Sequence, residues 1–284
     1  MRITAIINSR AGSTPPDAQR QLAEALDGDA TLTRVLTPGS ADMRKAMEEI
    51  FAEPADLVVV WGGDGTIACA LEHSSEDRPP VLPLPGGTMN MLPARVHGAQ
   101  LSWRDCLSSA LDSGVERRLP SGATSDGRTF YVGAILGDLA RLAESREALR
   151  EGRPVEAATN ALSGDALTPS PNLEWSTEEQ REQPLKATAL GVFLPAADDA
   201  PHFEIGAITP ENILDLVGIG LDAAIGDWRK ARSVAFARSP RLTARTLIDQ
   251  SVPATLDGEP MDLSPAVELH LRPGRARVLS ARTP

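Results

Sequence analysis

The chain has 284 residues, 42% hydrophobic and 24% charged, with a formal net charge of −11. That length suits one large domain or two ordinary ones, and the apolar content supports a buried core, which excludes a wholly disordered chain. The acidic balance argues against general nucleic-acid binding, which wants a basic footprint, and against simple attraction to an anionic membrane.

Residues 2–8 read as a buried first strand. Met1 to Asn8 lacks the long apolar core and cleavage site of a signal peptide, so a strand is expected there and not a leader. Asn8-Ser9-Arg10-Ala11-Gly12-Ser13 is a polar loop. Thr14-Pro15-Pro16 suits a helix start, since Pro is tolerated in a first turn, and Leu22, Ala25 and Leu26 give that helix an apolar face. Residues 31–36 form a second strand ending at Thr37-Pro38-Gly39, after which Ser40 caps a helix carrying Met43, Ala46, Met47 and Ile50. Residues 57–61 form a third strand, followed at once by Gly62-Gly63-Asp64-Gly65-Thr66. Residues 81–84 form a fourth, followed by Pro85-Gly86-Gly87-Thr88-Met89-Asn90. Helices are expected to begin near Thr66 and Met89. No apolar run approaches the ~18 residues of a membrane span, so if any lipid is a substrate it must be met from the side, at a membrane surface.

This alternation predicts a parallel α/β sheet with its loops gathered at the strand ends. The Asn8–Ser13 loop and both Gly-rich turns then share the carboxyl edge, where such sheets bind ligands. Phosphate needs donors close to its oxygens, and glycine offers backbone N–H groups with no side chain in the way. Thr66 and Thr88 add hydroxyls, the following helix starts add a favourable dipole, and Asp64 lies where a phosphate or its metal would sit.

Cys69 and Cys106 are the only cysteines and belong to no CxxC or Cys/His cluster. Two reduced thiols in a cytosolic protein are expected, with a single disulfide as the alternative. His73, His97, His202 and His270 are scattered, with no metal or triad spacing.

After about residue 115 the pattern changes. Gly, Pro, Asp and Ser punctuate short apolar runs at 129–136, 185–194, 202–208, 213–220, 232–237, 253–256 and 266–271, which suggests a mostly antiparallel β domain. Residues 138–163 interrupt it with a helical pattern (Leu139, Leu142, Ala143, Leu149, Ala157), and Ser163–Pro171 reads as a loop. Residues 228–245 hold Arg229, Lys230, Arg232, Arg238, Arg241 and Arg245 with no acid, and with Trp228 and Phe236 among them. Such a run is either a patch for lipid headgroups or a solvated face whose Arg stems cover apolar surface; the second is the commoner arrangement.

Taken together, the two Gly-rich turns resemble the diacylglycerol kinase catalytic family, in its bacterial lipid kinase branch related to sphingosine kinases. Asn8 to Gly12 is similar to that family's nucleotide loop, and Leu256-Asp257-Gly258-Glu259 to its Asp-Gly-Glu motif. Gly-Gly-Asp-Gly-Thr is shared with NAD kinases, whereas Pro-x-Gly-Thr-x-Asn favours the lipid kinases. The resemblance implies an α/β nucleotide domain over 1–118 and a C-terminal β-sandwich over 119–284, with ATP and lipid meeting in a cleft between them. Packing of the last residues back on the first domain is an option. It implies that Asn8, Ser9, Arg10, Ala11, Gly12, Thr37, Gly62, Gly63, Asp64, Gly65, Thr66, Ile67, Ala68, Gly87, Thr88 and Asn90 surround ATP. Glu259, assisted by Asp257, would be the general base toward a lipid hydroxyl, with Asp64 organising phosphate and magnesium. Taken alone, Asp257-Gly258-Glu259 reads more readily as an ordinary Asp-Gly hairpin turn; its place after the two upstream motifs reverses that balance.

The chain departs from the family pattern at several places. Ser9 stands where Pro is usual, Ala68 and Cys69 where Asn and Glu are common, and Met91 where Asp is common. The family's metal-holding Asp-Gly-x-Leu-Asp segment aligns with Glu211-Asn212-Ile213-Leu214-Asp215, so Glu211 and Asp215 are the implied metal ligands. The expectation is an ATP-dependent lipid kinase acting with magnesium, cytoplasmic and peripheral at the inner membrane face, with a homodimer left open. An NAD kinase-like or other soluble-hydroxyl kinase, and a nucleotide-binding regulator that has lost catalysis, are the alternatives.

Overall fold

The computed structural model describes residues 1–26, 30–39, 42–98, 101–137, 140, 171–195, 197–209, 234–248 and 250–281. Apart from Ala140, the helical pattern over 138–163 lies outside these residues. So do the loop at 163–170, the run at 213–220, Glu211, Asp215, and Trp228 to Arg232. The chain divides into two compact units, one of residues 1–121 with 272–284 and one of residues 122–271.

The first unit is built on parallel strands β1 (Arg2–Ile7), β2 (Thr31–Leu36), β3 (Leu57–Gly62) and β4 (Val81–Pro85), in the order β2-β1-β3-β4. All six residues of β3 are buried, as are five of the six in β1. A strand covered on both faces must be apolar throughout, which is why these segments read as continuous runs and not alternations. Helices α1 (Ala18–Ala25), α2 (Met43–Ala52), α3 (Asp64–Glu72), α4 (Met91–His97) and α5 (Trp103–Ser113) follow in turn. The core of this unit gathers Ile3, Ala5, Ile7, Leu57, Val59 and Trp61 with Leu22 and Leu107 from the helices. The helix after Thr14-Pro15-Pro16 starts at Ala18, so the two prolines precede it. Helix α5 was not foreseen, although Ser102 is its N-cap and accepts from the Asp105 N–H at 3.2 Å.

The second unit is a β-sandwich. One antiparallel sheet has the order β12-β11-β10-β7-β14-β15, from β7 (Gly133–Gly137), β10 (Ala189–Phe193), β11 (Phe203–Ile208), β12 (Val234–Ser239), β14 (Val252–Leu256) and β15 (Glu259–Leu263). The other pairs the start of β16 (Ala266–Ser280) with β13 (Arg241–Thr246), β8 (Leu173–Thr177) and β9 (Leu185–Ala187). Leu136, Leu190, Phe203 and Leu256 from one sheet share a core with Leu173, Trp175, Leu242 and Leu269 from the other. Strands β5 (Val115–Thr124) and β16 cross the unit boundary, and the end of β16 joins the first unit parallel to β4, with Val278 opposite Val81.

The apolar run at 129–136 is two strands: β6 (Thr129–Phe130) and β7 are separated by Tyr131 and Val132, whose N–H groups bond a side chain. The run at 185–194 likewise breaks at Thr188, which lies between β9 and β10 and donates its N–H to Ile208 O at 2.9 Å.

Candidate functional site

Three loops meet at the carboxyl ends of β1, β3 and β4. The Asn8 side chain donates to the Thr66 hydroxyl at 2.9 Å and accepts from the Arg10 N–H at 3.1 Å. The Ser13 hydroxyl donates to Gly87 O at 2.9 Å, the Ser13 N–H to Gly86 O at 2.9 Å, and Gly86 N–H to Gly62 O at 2.9 Å. The Trp61 indole N–H donates to Pro85 O at 3.1 Å. Each of the three segments is thus hydrogen-bonded to the other two, so their relative placement is set by the fold before any ligand arrives.

Two glycines make this closeness feasible. A Cβ on Gly87 would lie 2.7 Å from the Gly63 Cα, and one on Gly86 would collide with the Thr14 hydroxyl and sit 3.0 Å from the Trp61 ring. Asn90 takes the left-handed conformation (φ 52°), accepts from the Gly87 N–H at 2.8 Å and donates to Gly87 O at 3.0 Å, closing the second turn on itself. Among the described residues, the N–H groups of Gly63, Asp64 and Gly65 have no hydrogen-bond partner. They open the first turn of α3, where free N–H groups and the helix dipole both favour an anion.

The structure separates the expected nucleotide residues into two roles. Gly63, Gly65, Gly12 and Thr88 line the accessible part of this junction; Gly12 and Thr88 are exposed, with the Thr88 hydroxyl 3.1 Å from where a Gly12 Cβ would sit. Ser9, Arg10 and Ala11 follow in the same loop, and Thr37 lies exposed just past β2, the neighbour of β1 on this edge. Asn8, Thr66, Gly87 and Asn90 hold the loops together. Ile67 is fully buried in the core, and its N–H is taken by Gly63 O. Ala68 is half-buried on α3. Ser13, Thr14 and Trp61 complete the stitching and were not singled out, because their partners are carbonyls that carry no sequence signal.

Asp64 is the first residue of α3, and its Oδ1 accepts from the Leu92 N–H at the start of α4 at 2.8 Å. Among the described residues its second oxygen has no partner. Those residues hold no cluster of three or more His, Cys, Asp or Glu able to bind a metal. One free carboxylate oxygen beside open N–H groups fits magnesium that arrives with a nucleotide, since magnesium typically takes one or two carboxylates and completes its shell with phosphates and water.

In the second unit, Asp257 and Gly258 both have positive φ (50° and 88°) and join β14 to β15 as a two-residue hairpin, with Leu256 opposite Glu259. Glu259 is exposed. Asp257 is engaged: its carboxylate accepts from the backbone N–H groups of Tyr131 (2.7 Å), Val132 (2.7 Å) and Gly133 (3.0 Å). The described arginines of the basic run face glutamates. Arg245 lies 2.6 Å from Glu174, Arg241 3.2 Å from Glu178, and Arg238 3.8 Å from Glu204. The local charge there is therefore mixed, a pattern hidden in the sequence because the acids come from distant parts of the chain.

Burial pushes the Cys106 thiol up to about 12, and burial with the nearby Glu72 raises that of Cys69. Both are free cysteines held as poor nucleophiles. No helix among the described residues is long and apolar enough to cross a membrane.

Residues 2–118 match the family model of the diacylglycerol kinase catalytic domain. The match lies within the N-terminal α/β part of the chain. Over its whole length the chain is similar to the solved structure of a diacylglycerol kinase from Bacillus anthracis str. Sterne, with a TM-score of 0.65 at 15% identity, covering 100% of this chain and 97% of that one. Two further solved chains from the same organism match over the same shares at 16% identity, with TM-scores of 0.68 and 0.70. At such identities the likeness speaks for the fold, an α/β domain followed by an antiparallel β domain.

Proposed function

We propose that this protein is an ATP-dependent lipid kinase that phosphorylates a hydroxyl of a diacylglycerol-like lipid. The observation that carries the reading is the junction of three stitched loops, open at the Gly63–Gly65 N–H groups, inside a segment that matches the diacylglycerol kinase catalytic domain. The N–H groups at the start of α3 bind the phosphates, with Thr88 and the Asn8–Gly12 loop around them. Asp64, with one oxygen unpartnered among the described residues, would help hold the cation that travels with ATP. Magnesium, when bound, neutralises phosphate charge. Glu259 accepts the proton of the attacking lipid hydroxyl, a weak nucleophile until a base takes that proton. Because the donors are preset by the fold, little reorganisation is required during transfer, which is where most phosphoryl-transfer catalysis lies.

The test is phosphate transfer. The purified protein, given γ-labelled ATP, magnesium and micelles of diacylglycerol or related lipids, is expected to label the lipid, and the Glu259→Gln variant is expected not to. Labelled NADP from NAD in place of labelled lipid would move the chain to the NAD kinase side. One observation favours the regulatory alternative: Ala68 and Cys69, both half-buried on α3, offer no carboxylate or amide beside Asp64. Calorimetry showing ATP binding without turnover on any acceptor would establish it.

A further inference from the structure

Asp257 is a carboxylate in the motif expected to supply the base, so a part in proton transfer is the obvious assignment. Its surroundings say otherwise. One oxygen accepts from the Tyr131 N–H at 2.7 Å, and the other from Val132 at 2.7 Å and Gly133 at 3.0 Å. The Asp257 N–H returns a bond to Gly133 O at 2.9 Å. Tyr131 is 4% exposed, so its N–H needs an acceptor from the protein. Strand β14 pairs with β7 as far as Leu256 opposite Ala134, and the Asp257–Gly133 bond carries that pairing one residue further, into the hairpin turn. Glu259 is two residues beyond this anchor, opposite Leu256.

Resting on the assignment of Glu259 as the base, we propose that Asp257 is a positioning residue that clamps residues 131–133 to the β14–β15 hairpin, fixes where Glu259 leaves the turn, and carries no proton itself. A proton on Oδ1 would set an O–H against the Val132 or Gly133 N–H donor and open the clamp. Charge-assisted bonds to backbone N–H are among the stronger hydrogen bonds, and three on one carboxylate make it the acceptor for a segment that has left its ladder. Side chains of other types cannot replace it: an amide has one acceptor oxygen, and its NH2 would face a third N–H.

Two measurements test this on the full chain, in wild type, Asp257→Asn, Asp257→Ala and Glu259→Gln. The first is amide hydrogen exchange without substrate. The Tyr131, Val132 and Gly133 amides are expected to exchange roughly tenfold faster or more in both Asp257 variants, and as in wild type in Glu259→Gln, given the strength of a bond to a charged acceptor. Equal exchange in wild type and both Asp257 variants overturns the clamp. The second is lipid phosphorylation against pH. Asp257→Asn is expected to lower kcat by up to about a hundredfold, the effect of a misplaced catalytic group, with the KM for ATP and the position of the acidic limb unchanged. An acidic limb that moves or vanishes in Asp257→Asn would assign the proton to Asp257 and overturn the proposal. A wild type that phosphorylates nothing, with amides that still lose protection in the variants, counts against the kinase reading and leaves the clamp standing.

Discussion

Gly87 shows how a single hydrogen atom shapes the candidate nucleotide site. Its missing side chain lets two backbones touch, since a Cβ there would lie 2.7 Å from the Gly63 Cα and 3.3 Å from the Asn90 side-chain Oδ1. Gly63 is backbone and cannot rotate away, so the loops must part. Gly87→Ala should lose about 1–3 kcal/mol of stability, the usual cost of overpacking, and should weaken ATP binding further because the donors at Gly63–Gly65 shift with the loop. A urea melt and ATP titration check both; an unchanged nucleotide affinity would show that the loop contact does not set the site. His97 is a second residue-scale case. It is buried, its Nε2 pairs with Pro83 O at 2.8 Å, and its Nδ1 pairs with the Ala281 N–H at 3.1 Å. Nδ1 must therefore accept and Nε2 donate, which is the neutral imidazole. Burial, with Arg117 nearby, holds its folded pKa below the ordinary 6.5. Above about pH 6.5 both folded and unfolded rings are neutral and this contribution is whole. As pH falls below that, the unfolded ring takes up a proton that the folded ring refuses, and stability drops by up to about 1.4 kcal/mol per pH unit. Wild type should therefore lose thermal stability between pH 6.5 and 5 more steeply than His97→Gln, whose amide keeps one donor and one acceptor. Parallel Tm profiles would contradict this.

Among the elements, the end of β16 is fastened through one side chain. The Arg277 guanidinium donates to both Glu116 oxygens at 2.7 and 2.9 Å, to Glu76 O at 2.8 Å and to Arg78 O at 2.6 Å. Its backbone N–H donates to the Ser74 hydroxyl at 2.8 Å. These bonds hold Glu116 below its usual carboxylate range and fasten the last strand to β5 and the α3–β4 connection. Arg277→Ala should cost about 1–3 kcal/mol, reckoned from hydrogen bonds to a charged group and discounted because Glu116 is half-exposed. Arg277→Lys should recover only part, since an ammonium cannot fork onto a carboxylate and reach two carbonyls at once. Shifts in urea midpoint would decide, and full rescue by Lys would mean that charge alone matters. The same strand shows where sequence reading stops. The buried strands β1, β3 and β4 were legible because double-sided burial leaves largely apolar runs, and the two Gly-rich turns because close approach demands glycine. Strands β8 and β13 were missed because alternation dilutes the signal: Leu173-Glu174-Trp175-Ser176-Thr177 and Arg241-Leu242-Thr243-Ala244-Arg245 bury every second residue. The Asp257 clamp was illegible for another reason, since its partners at 131–133 are backbone groups more than a hundred residues away.

At the scale of the molecule, charge opposes the simplest route to a lipid. The net charge is −11, so long-range forces repel an anionic surface. A local basic patch was one of two readings of residues 228–245, yet Arg238, Arg241 and Arg245 each face a glutamate, which leaves little net positive charge on the described part of that run. Exposed ion pairs of this kind contribute little to stability, but they cancel the field a headgroup would feel. Vesicle binding should therefore rest on apolar contact and on the proposed lipid substrate, not on surface charge. In co-sedimentation, binding to neutral vesicles containing diacylglycerol should fall when an anionic phospholipid replaces the neutral one, and should rise when salt screens the repulsion. The opposite pattern, with anionic lipid strengthening binding and salt releasing it, would show that a basic surface dominates after all.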